Sequence, residues 1–217
     1  MIALLAMLIG PSLNAATTLA ELAPSAPKTE TGGFGGIPWG ASPEAIEEKF
    51  GDTAERDNDS CNDAFARQAL AEQGHDCFTI KVDRYVLEGI PFAASFRFDP
   101  HSGGLGAVVL TSSLKSRNLN PKAVRKVQLE CQQNYERLAR QIAGTFPSPV
   151  LPHQARGKPA EPFTKGSYRA WEGEGTSVIL SRSFDYSEHW KHWRRADGCA
   201  VEVRYAAVPP EEVNSAE

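Results

Sequence analysis

Metal-like spacings occur twice in the sequence, and neither is complete. His189 and His192 are three residues apart, which would place both imidazoles on one face of a helix. That segment has no helical periodicity, so the pattern indicates a solvated loop. The acidic stretch 57–63 resembles a calcium loop, but the sixth and twelfth positions are Asn62 and Gln68 where that loop needs Gly and Glu. We therefore predict no metal site and no cofactor.

Nucleophile patterns are equally incomplete. Ser112 and Lys115 match the Ser-x-x-Lys of penicillin-interacting acyl enzymes, but the partner motifs Ser-Asp-Asn and Lys-Thr-Gly are absent from the sequence. A Gly-x-Ser-x-Gly elbow is absent as well, and nothing selects a carboxylate pair for glycoside hydrolysis. A Cys-His nucleophile pair would need a free thiol, and all four cysteines are expected to be paired in disulfides. The sequence therefore predicts no catalytic residue.

Aromatic and basic side chains are most concentrated in one segment near the C-terminus. Trp and Arg are the residues most enriched at binding hot spots. The alternative is that the Trp side chains cover a sheet edge while the charges solvate a loop. We predict that the loop 185–198 protrudes and contacts an anionic partner through six consecutive residues: Trp190, Lys191, His192, Trp193, Arg194 and Arg195.

The charge distribution favours the C-terminal half of the chain as the part that contacts an anionic partner. The 217 residues carry a net charge of −4, which excludes a generally basic nucleic-acid binder. Residues 1–114 have a net charge of −8, and residues 115–217 have a net charge of +4. The partner could be an acidic protein face, a glycan with acidic groups or a lipid headgroup, and the sequence does not choose among them.

The N-terminus indicates export. An apolar run begins at Met1 and is followed by small residues at Ala15 and Ala16, as in a signal peptide over 1–16. No Lys or Arg precedes the run, so either the start codon is misplaced or the amino terminus alone supplies the charge. The run is too short to span a bilayer, and no transmembrane segment is expected in the mature chain. We predict a periplasmic or secreted protein.

Four cysteines in an oxidising compartment predict two disulfides. Cys131 lies on the apolar stripe of a predicted helix, and Cys199 lies on the apolar face of a predicted strand, so the two can meet in one core. Cys61 with Cys77 follows by elimination. A full helix over 63–73 would make that second pair difficult to close, so either the helix is shorter or the pair needs a compact turn.

Hydrophobic periodicity predicts an α+β fold. Residues recur at spacings of three and four in the predicted helices, which cover 43–50, 63–73 and 121–143. Alternation with a period of two predicts about six strands: 78–83, 92–98, 105–111, 168–172, 176–184 and 199–205. The simplest arrangement is one antiparallel sheet, or two small ones, with the helices packed on one face.

The predicted organisation is a single domain over 37–208. A flexible leader over 17–36 precedes it, and a frayed acidic tail over 209–217 follows it. Each half of this domain has the pattern of a helix followed by a β-meander, which predicts two pseudo-repeats over 37–114 and 121–208.

One motif supports a resemblance to known proteins. Residues 37–46, Ile-Pro-Trp-Gly-Ala-Ser-Pro-Glu-Ala-Ile, are followed by Phe50-Gly51. This segment resembles the opening of small exported bacterial α+β proteins of unassigned function, in which a Trp-Gly strand end leads into a Ser/Thr-capped helix that stops at Phe-Gly or Tyr-Gly. Those proteins often have a Tyr-Gly-x-Pro turn before a Trp-bearing strand, where this chain has 145–149 and Trp171. The resemblance implies an exported α+β fold and no catalytic residues.

Two classes of function remain open. The first is a non-enzymatic binding, inhibitor or accessory protein of the cell envelope, which the export signal, the small size and the lack of a catalytic constellation favour. The second is a small envelope hydrolase that uses Asp/Glu or His without a recognisable motif. A deep pocket with convergent His and carboxylates would favour the enzyme, and a flat sheet or protruding loop would favour the binder.

Overall fold

The computed structural model describes residues 32–58, 78–99, 101–117, 120–146, 148–150, 166–173, 175–185 and 198–208. Within these ranges the chain forms two α-helices, α1 (Pro43–Phe50) and α2 (Pro121–Thr145). The strands are β1 (Gly33–Phe34), β2 (Ile37–Pro38), β3 (Ala54–Asp57), β4 (Thr79–Leu87), β5 (Ile90–Phe98), β6 (Leu105–Lys115), β7 (Ser148–Val150), β8 (Gly166–Gly173), β9 (Thr176–Asp185) and β10 (Gly198–Ala207). The predicted α+β class with an antiparallel sheet is confirmed.

Eight of these strands form one antiparallel sheet in the order β3-β4-β5-β6-β10-β9-β8-β7. The four strands that follow α1 in the chain occupy one half of the sheet, and the four that follow α2 occupy the other. The two halves meet where β6 pairs with β10, with Val203 opposite Leu110. The last strand of each half therefore lies at the centre of the sheet.

The prediction of about six strands was an undercount. The sheet also contains β3 and β7 at its two edges, and β1 pairs with β2 in a separate hairpin. Both edge strands are short and lack an alternating pattern, because an edge strand contributes backbone hydrogen bonds without burying a full side-chain face. Both β3 and β7 lie outside the helices and strands predicted from the sequence.

The core lies on the sheet face that also receives the two helices. Alternate residues of the central strands point to this face and are buried, as Phe96, Val108 and Val203 illustrate. Ile46 of α1 and Leu138 of α2 belong to the same apolar cluster. Burial of this one continuous face against both helices supplies the main apolar contribution to stability.

Local signals explain where the helices begin. The helix predicted over 43–50 is observed with those bounds: Pro43 takes the first helical position, although the side chain of Ser42 makes no capping hydrogen bond. For α2, the backbone N–H of Lys122 donates to Asn120 Oδ1 at 2.9 Å. This longer helix ends at Thr145, two residues beyond the predicted end.

The hairpin β1–β2 begins within the stretch over 17–36 that the sequence predicts as a leader. Phe34 is buried, and its ring centroid lies 5.0 Å from that of Tyr205 and 5.6 Å from that of Tyr85. The indole of Trp39 donates to Thr176 Oγ1 at 2.9 Å, which ties the start of the fold to β9. The segment around Phe34 is thus ordered because it completes an aromatic part of the core.

The Trp-Gly motif has a steric function in the fold. Gly40 has a φ of 81°, and its N–H donates to the Leu105 carbonyl at 2.8 Å. A Cβ on Gly104 would lie 2.6 Å from the Gly40 Cα, so the two backbones approach too closely for any side chain. This contact joins the segment before α1 to the start of β6.

Several predictions concern residues outside the described ranges. These are the signal peptide over 1–16, the helix over 63–73, the Cys61–Cys77 pair and the tail over 209–217. The domain boundaries and the two pseudo-repeats also stay predictions.

Candidate functional site

The six residues predicted to bind a partner, 190–195, lie outside the described residues, as does the His189–His192 pair. The strand ends that precede and follow them are described. Asp185 of β9 is paired with Gly198 of β10, and Phe184 is paired with Cys199. The predicted loop therefore connects two adjacent strands at the sheet end that carries the disulfide.

The Ser-x-x-Lys match is a property of a strand. Ser112 and Lys115 both belong to β6, where residues three apart point to opposite faces of the sheet. Ser112 is buried on the core face and Lys115 is exposed. The two side chains therefore cannot act on one substrate, and the match does not form an acyl-enzyme site. In the calcium-like stretch, the described Asp57 forms an ion pair with Lys81.

The structure brings together the two cysteines that the sequence analysis paired. Cys131 of α2 and Cys199 of β10 form a disulfide with a Cα–Cα distance of 6.3 Å, and both residues are fully buried. The bond attaches the long helix to the strand that lies at the centre of the sheet. Side chains on this helix therefore have a defined position over β8 and β9.

Two arginines flank one tyrosine beside this disulfide. The guanidinium carbon of Arg182 lies 5.4 Å from the centroid of the Tyr135 ring, and that of Arg169 lies 5.3 Å from the same centroid. Arg182 also stacks on Phe184 at 5.1 Å and donates from Nη2 to Ser167 Oγ at 3.1 Å. We call Tyr135, Ser167, Arg169 and Arg182 the arginine cluster.

The two arginines differ in their partners. Arg169 forms a two-pronged ion pair with Glu136, at 3.2 Å and 3.3 Å, and Gln132 donates to the same carboxylate at 2.9 Å. Among the described residues, no carboxylate forms an ion pair with Arg182, and its Nε is shielded from solvent without a hydrogen-bond partner. Together with Glu136, the cluster therefore has one positive charge in excess.

Burial also controls the protonation of the tyrosine. Desolvation raises the pKa of Tyr135, and the nearby charge of Arg169 opposes this shift. The hydroxyl is therefore neutral at physiological pH. A neutral hydroxyl can donate a hydrogen bond to an anion, whereas a phenolate would repel it.

The exposed side of α2 carries most of the charge of that helix. Five of its residues are basic and two are acidic, and one of the two acids, Glu136, is engaged by Arg169. Leu129 is 58% exposed in the middle of this side. We call the following exposed residues the basic helix face: Lys122, Arg125, Lys126, Leu129, Arg137 and Arg140.

The sheet face opposite the helices carries a second charged group. Glu202 and Arg204 lie on β10, the strand at the centre of the sheet, and Arg97 lies two strands away. Burial raises the pKa of Glu202, although the charges of Arg97 and Arg204 act in the opposite direction. Burial lowers the pKa of Arg204. These residues affect stability, and nothing about their arrangement selects a reaction.

Features of other site classes are not found within the described ranges. No helix there is long and apolar enough to cross a bilayer. The described residues also contain no group of three or more His, Cys, Asp or Glu side chains able to hold a metal ion.

Comparisons with protein-family models, with curated proteins and with solved structures found no match for this chain. The site must therefore be interpreted from its own residues.

The arginine cluster is not among the sites predicted from the sequence, although the sequence carries a signal for it. Val178, Leu180 and Phe184 alternate on the core side of β9, and Arg182 occupies a position of the same parity. A cation at an inward position of an otherwise apolar face requires a partner. The alternation alone predicts only a strand.

Proposed function

We propose that this protein is an exported, non-enzymatic binding or accessory protein of the cell envelope, and that its basic helix face contacts an acidic protein surface. The observation that supports this proposal most directly is the charge of α2. This helix has five basic residues and two acidic ones, within a chain of net charge −4. Concentrated charge of one sign steers the approach of an oppositely charged partner. The predicted loop at 190–195 remains a second proposed contact.

The composition of this face supports a protein partner. Lys122, Arg125 and Lys126 precede Leu129, and Arg140 lies about 27 Å from Lys122 along the helix axis at 1.5 Å per residue. An apolar residue among charges resembles the core and rim of a protein interface. A lipid surface would favour a wide apolar face, whereas Leu129 and Tyr168 are the large exposed hydrophobics of the described residues.

The test uses the mature chain and three probes: an acidic peptide of alternating Glu and Leu, heparin, and vesicles of phosphatidylglycerol. The informative variant is Arg125→Gln/Lys126→Gln. The matched control, Arg84→Gln/Arg97→Gln, removes two exposed cations from the other half of the sheet. Binding of labelled peptide is measured by fluorescence anisotropy at low and high salt.

We expect the peptide to bind, and we expect the α2 variant to weaken binding about fivefold or more, because two exposed ion pairs contribute ~0.5 kcal/mol each. The control should bind like wild type, and high salt should abolish the difference. Leu129→Ser should also weaken peptide binding. The proposal would be refuted if the protein bound heparin or vesicles but not the peptide. It would also be refuted if both double variants lost the same amount of peptide affinity.

A further inference from the structure

Within the part of the chain that the structure describes, no carboxylate forms an ion pair with Arg182. The residue lies on the core-facing side of β9, between the rings of Tyr135 and Phe184. Stacking on two rings compensates part of the cost of removing a guanidinium from water. It does not satisfy the N–H donors at the edge of the guanidinium, because those donors need an acceptor in the plane of the group.

The donors of Arg182 are only partly satisfied. Nη2 donates to Ser167 Oγ at 3.1 Å, while Nε is shielded from solvent and has no hydrogen-bond partner among the described residues. A shielded donor without an acceptor costs free energy that an incoming acceptor would recover. The arrangement therefore favours occupation by an acceptor that lies at the edge of the guanidinium.

The surroundings select a negatively charged acceptor. Arg169 contributes a second guanidinium over the same Tyr135 ring, and Glu136 neutralises only one of the two cations. An oxyanion would neutralise the remaining charge and could accept a forked pair of hydrogen bonds. Arg182, Ser167 and Phe184 are each partly exposed, so the cluster can be reached from solvent.

We propose that the arginine cluster is a binding site for a single oxyanion group, a carboxylate or a phosphate, held by the edge of Arg182 with Ser167 and Arg169. The site lies at the flank of α2 next to β8 and β9, and it does not depend on the proposed contact of the basic helix face with an acidic protein. The two proposals can therefore fail separately.

The experiment follows the Nε–Hε signal of Arg182 in a nitrogen-15 correlation spectrum of the mature chain. Acetate represents the carboxylate class and methyl phosphate represents the phosphate class, each titrated against chloride at constant ionic strength. We expect a saturable shift of this signal with at least one of the two anions. The comparison of the two titrations identifies the source of the oxyanion.

Variants separate a binding site from a packing role. Arg182→Lys keeps the charge and loses the fork, so anion affinity should fall about tenfold or more, which corresponds to ~1.4 kcal/mol. Because this variant lacks the Nε–Hε signal of Arg182, its anion binding is followed by the backbone amide signals of Ser167 and Arg169, and these are also recorded for wild type. Ser167→Ala and Arg169→Gln provide folded alternatives if Arg182 variants do not fold, and each should weaken binding severalfold. Arg84→Gln removes an exposed arginine of β4, outside both proposed sites, so it is the matched control and should bind the anion like wild type. A shift that grows linearly without saturation, or an effect unchanged in all cluster variants, would overturn the proposal.

Discussion

The disulfide between Cys131 and Cys199 should contribute strongly to stability. The free energy that it contributes can be estimated from the length of the loop that it closes. The two residues are 68 positions apart. In the chain-entropy description, closing a loop of this length destabilises the unfolded state by about 4 kcal/mol at 25 °C. We therefore expect Cys131→Ala/Cys199→Ala to lose about 4 kcal/mol of unfolding free energy, with some further loss from two fully buried sulfurs.

This loss should be visible by two methods. A chain of this size loses roughly 2–4 °C of melting temperature per kcal/mol, so the variant should melt about 8–16 °C below wild type. Urea unfolding should show a lower midpoint. Cys61→Ala/Cys77→Ala provides the comparison, because the predicted bond between those residues closes a shorter loop and should contribute about 3 kcal/mol.

Two results would refute the reasoning about the long loop. One is a melting temperature of the Cys131→Ala/Cys199→Ala variant that equals that of the wild type. The other is a peptide map under non-reducing conditions that links Cys61 to Cys199 or Cys77 to Cys131. Either result would mean that the attachment of α2 to β10 does not depend on this covalent bond.

Three further predictions concern single side chains. Trp39→Phe removes the hydrogen bond to Thr176, so a double-mutant cycle with Thr176→Val should give a coupling of about 1 kcal/mol, and additive losses would contradict it. Burial raises the pKa of Glu202, so the folded state holds the proton of this carboxyl group more tightly than the unfolded chain does. The wild type therefore loses stability as the pH rises from the usual carboxyl range through the raised pKa. Glu202→Gln should escape that loss. Urea unfolding should show the stability advantage of this variant growing as the pH rises above the usual carboxyl range, and a constant difference would refute this. Trp193→Ala should leave the melting temperature near wild type and weaken capture of the acidic peptide, whereas a loss of ~3–5 kcal/mol would identify a core residue.

The central elements of the fold could be predicted because their side chains carry the periodicity that burial requires. The helix at Pro43–Phe50 has Pro at its start and Gly51 after its end, and both signals are local. The strands β4, β5, β6 and β10 alternate because one side faces the core. The class of fold follows from these elements.

The remaining elements depend on contacts between distant residues. β3 and β7 gain their structure from backbone pairing at the sheet edges, which leaves no apolar pattern in either segment. The hairpin around Phe34 becomes ordered because Tyr85 and Tyr205 surround its ring. The partners of Phe34 lie far along the chain, so no local rule identifies them.

The arginine cluster illustrates the same limit for a site. Tyr135, Arg169 and Arg182 come from three different elements, and only the packing of α2 over β8 and β9 brings them together. The pairing of Cys131 with Cys199 was within reach because each residue lies on an apolar stripe of its own element. The excess of positive charge in the second half of the chain can also be counted from the sequence. Its concentration on one side of α2 is known only once the structure shows which helix residues are exposed.

The most direct test of the proposed binding surface is a map of the residues that respond to an acidic partner. Backbone amide signals of the nitrogen-15-labelled mature chain are followed while the acidic Glu-Leu peptide is added. The proposal predicts saturable shifts concentrated between Lys122 and Arg140 on α2, with β3, β4 and β5 unaffected. Shifts confined to residues 186–197, shifts centred on β3 to β5, or no saturable shift would contradict the assignment of the contact to the basic helix face.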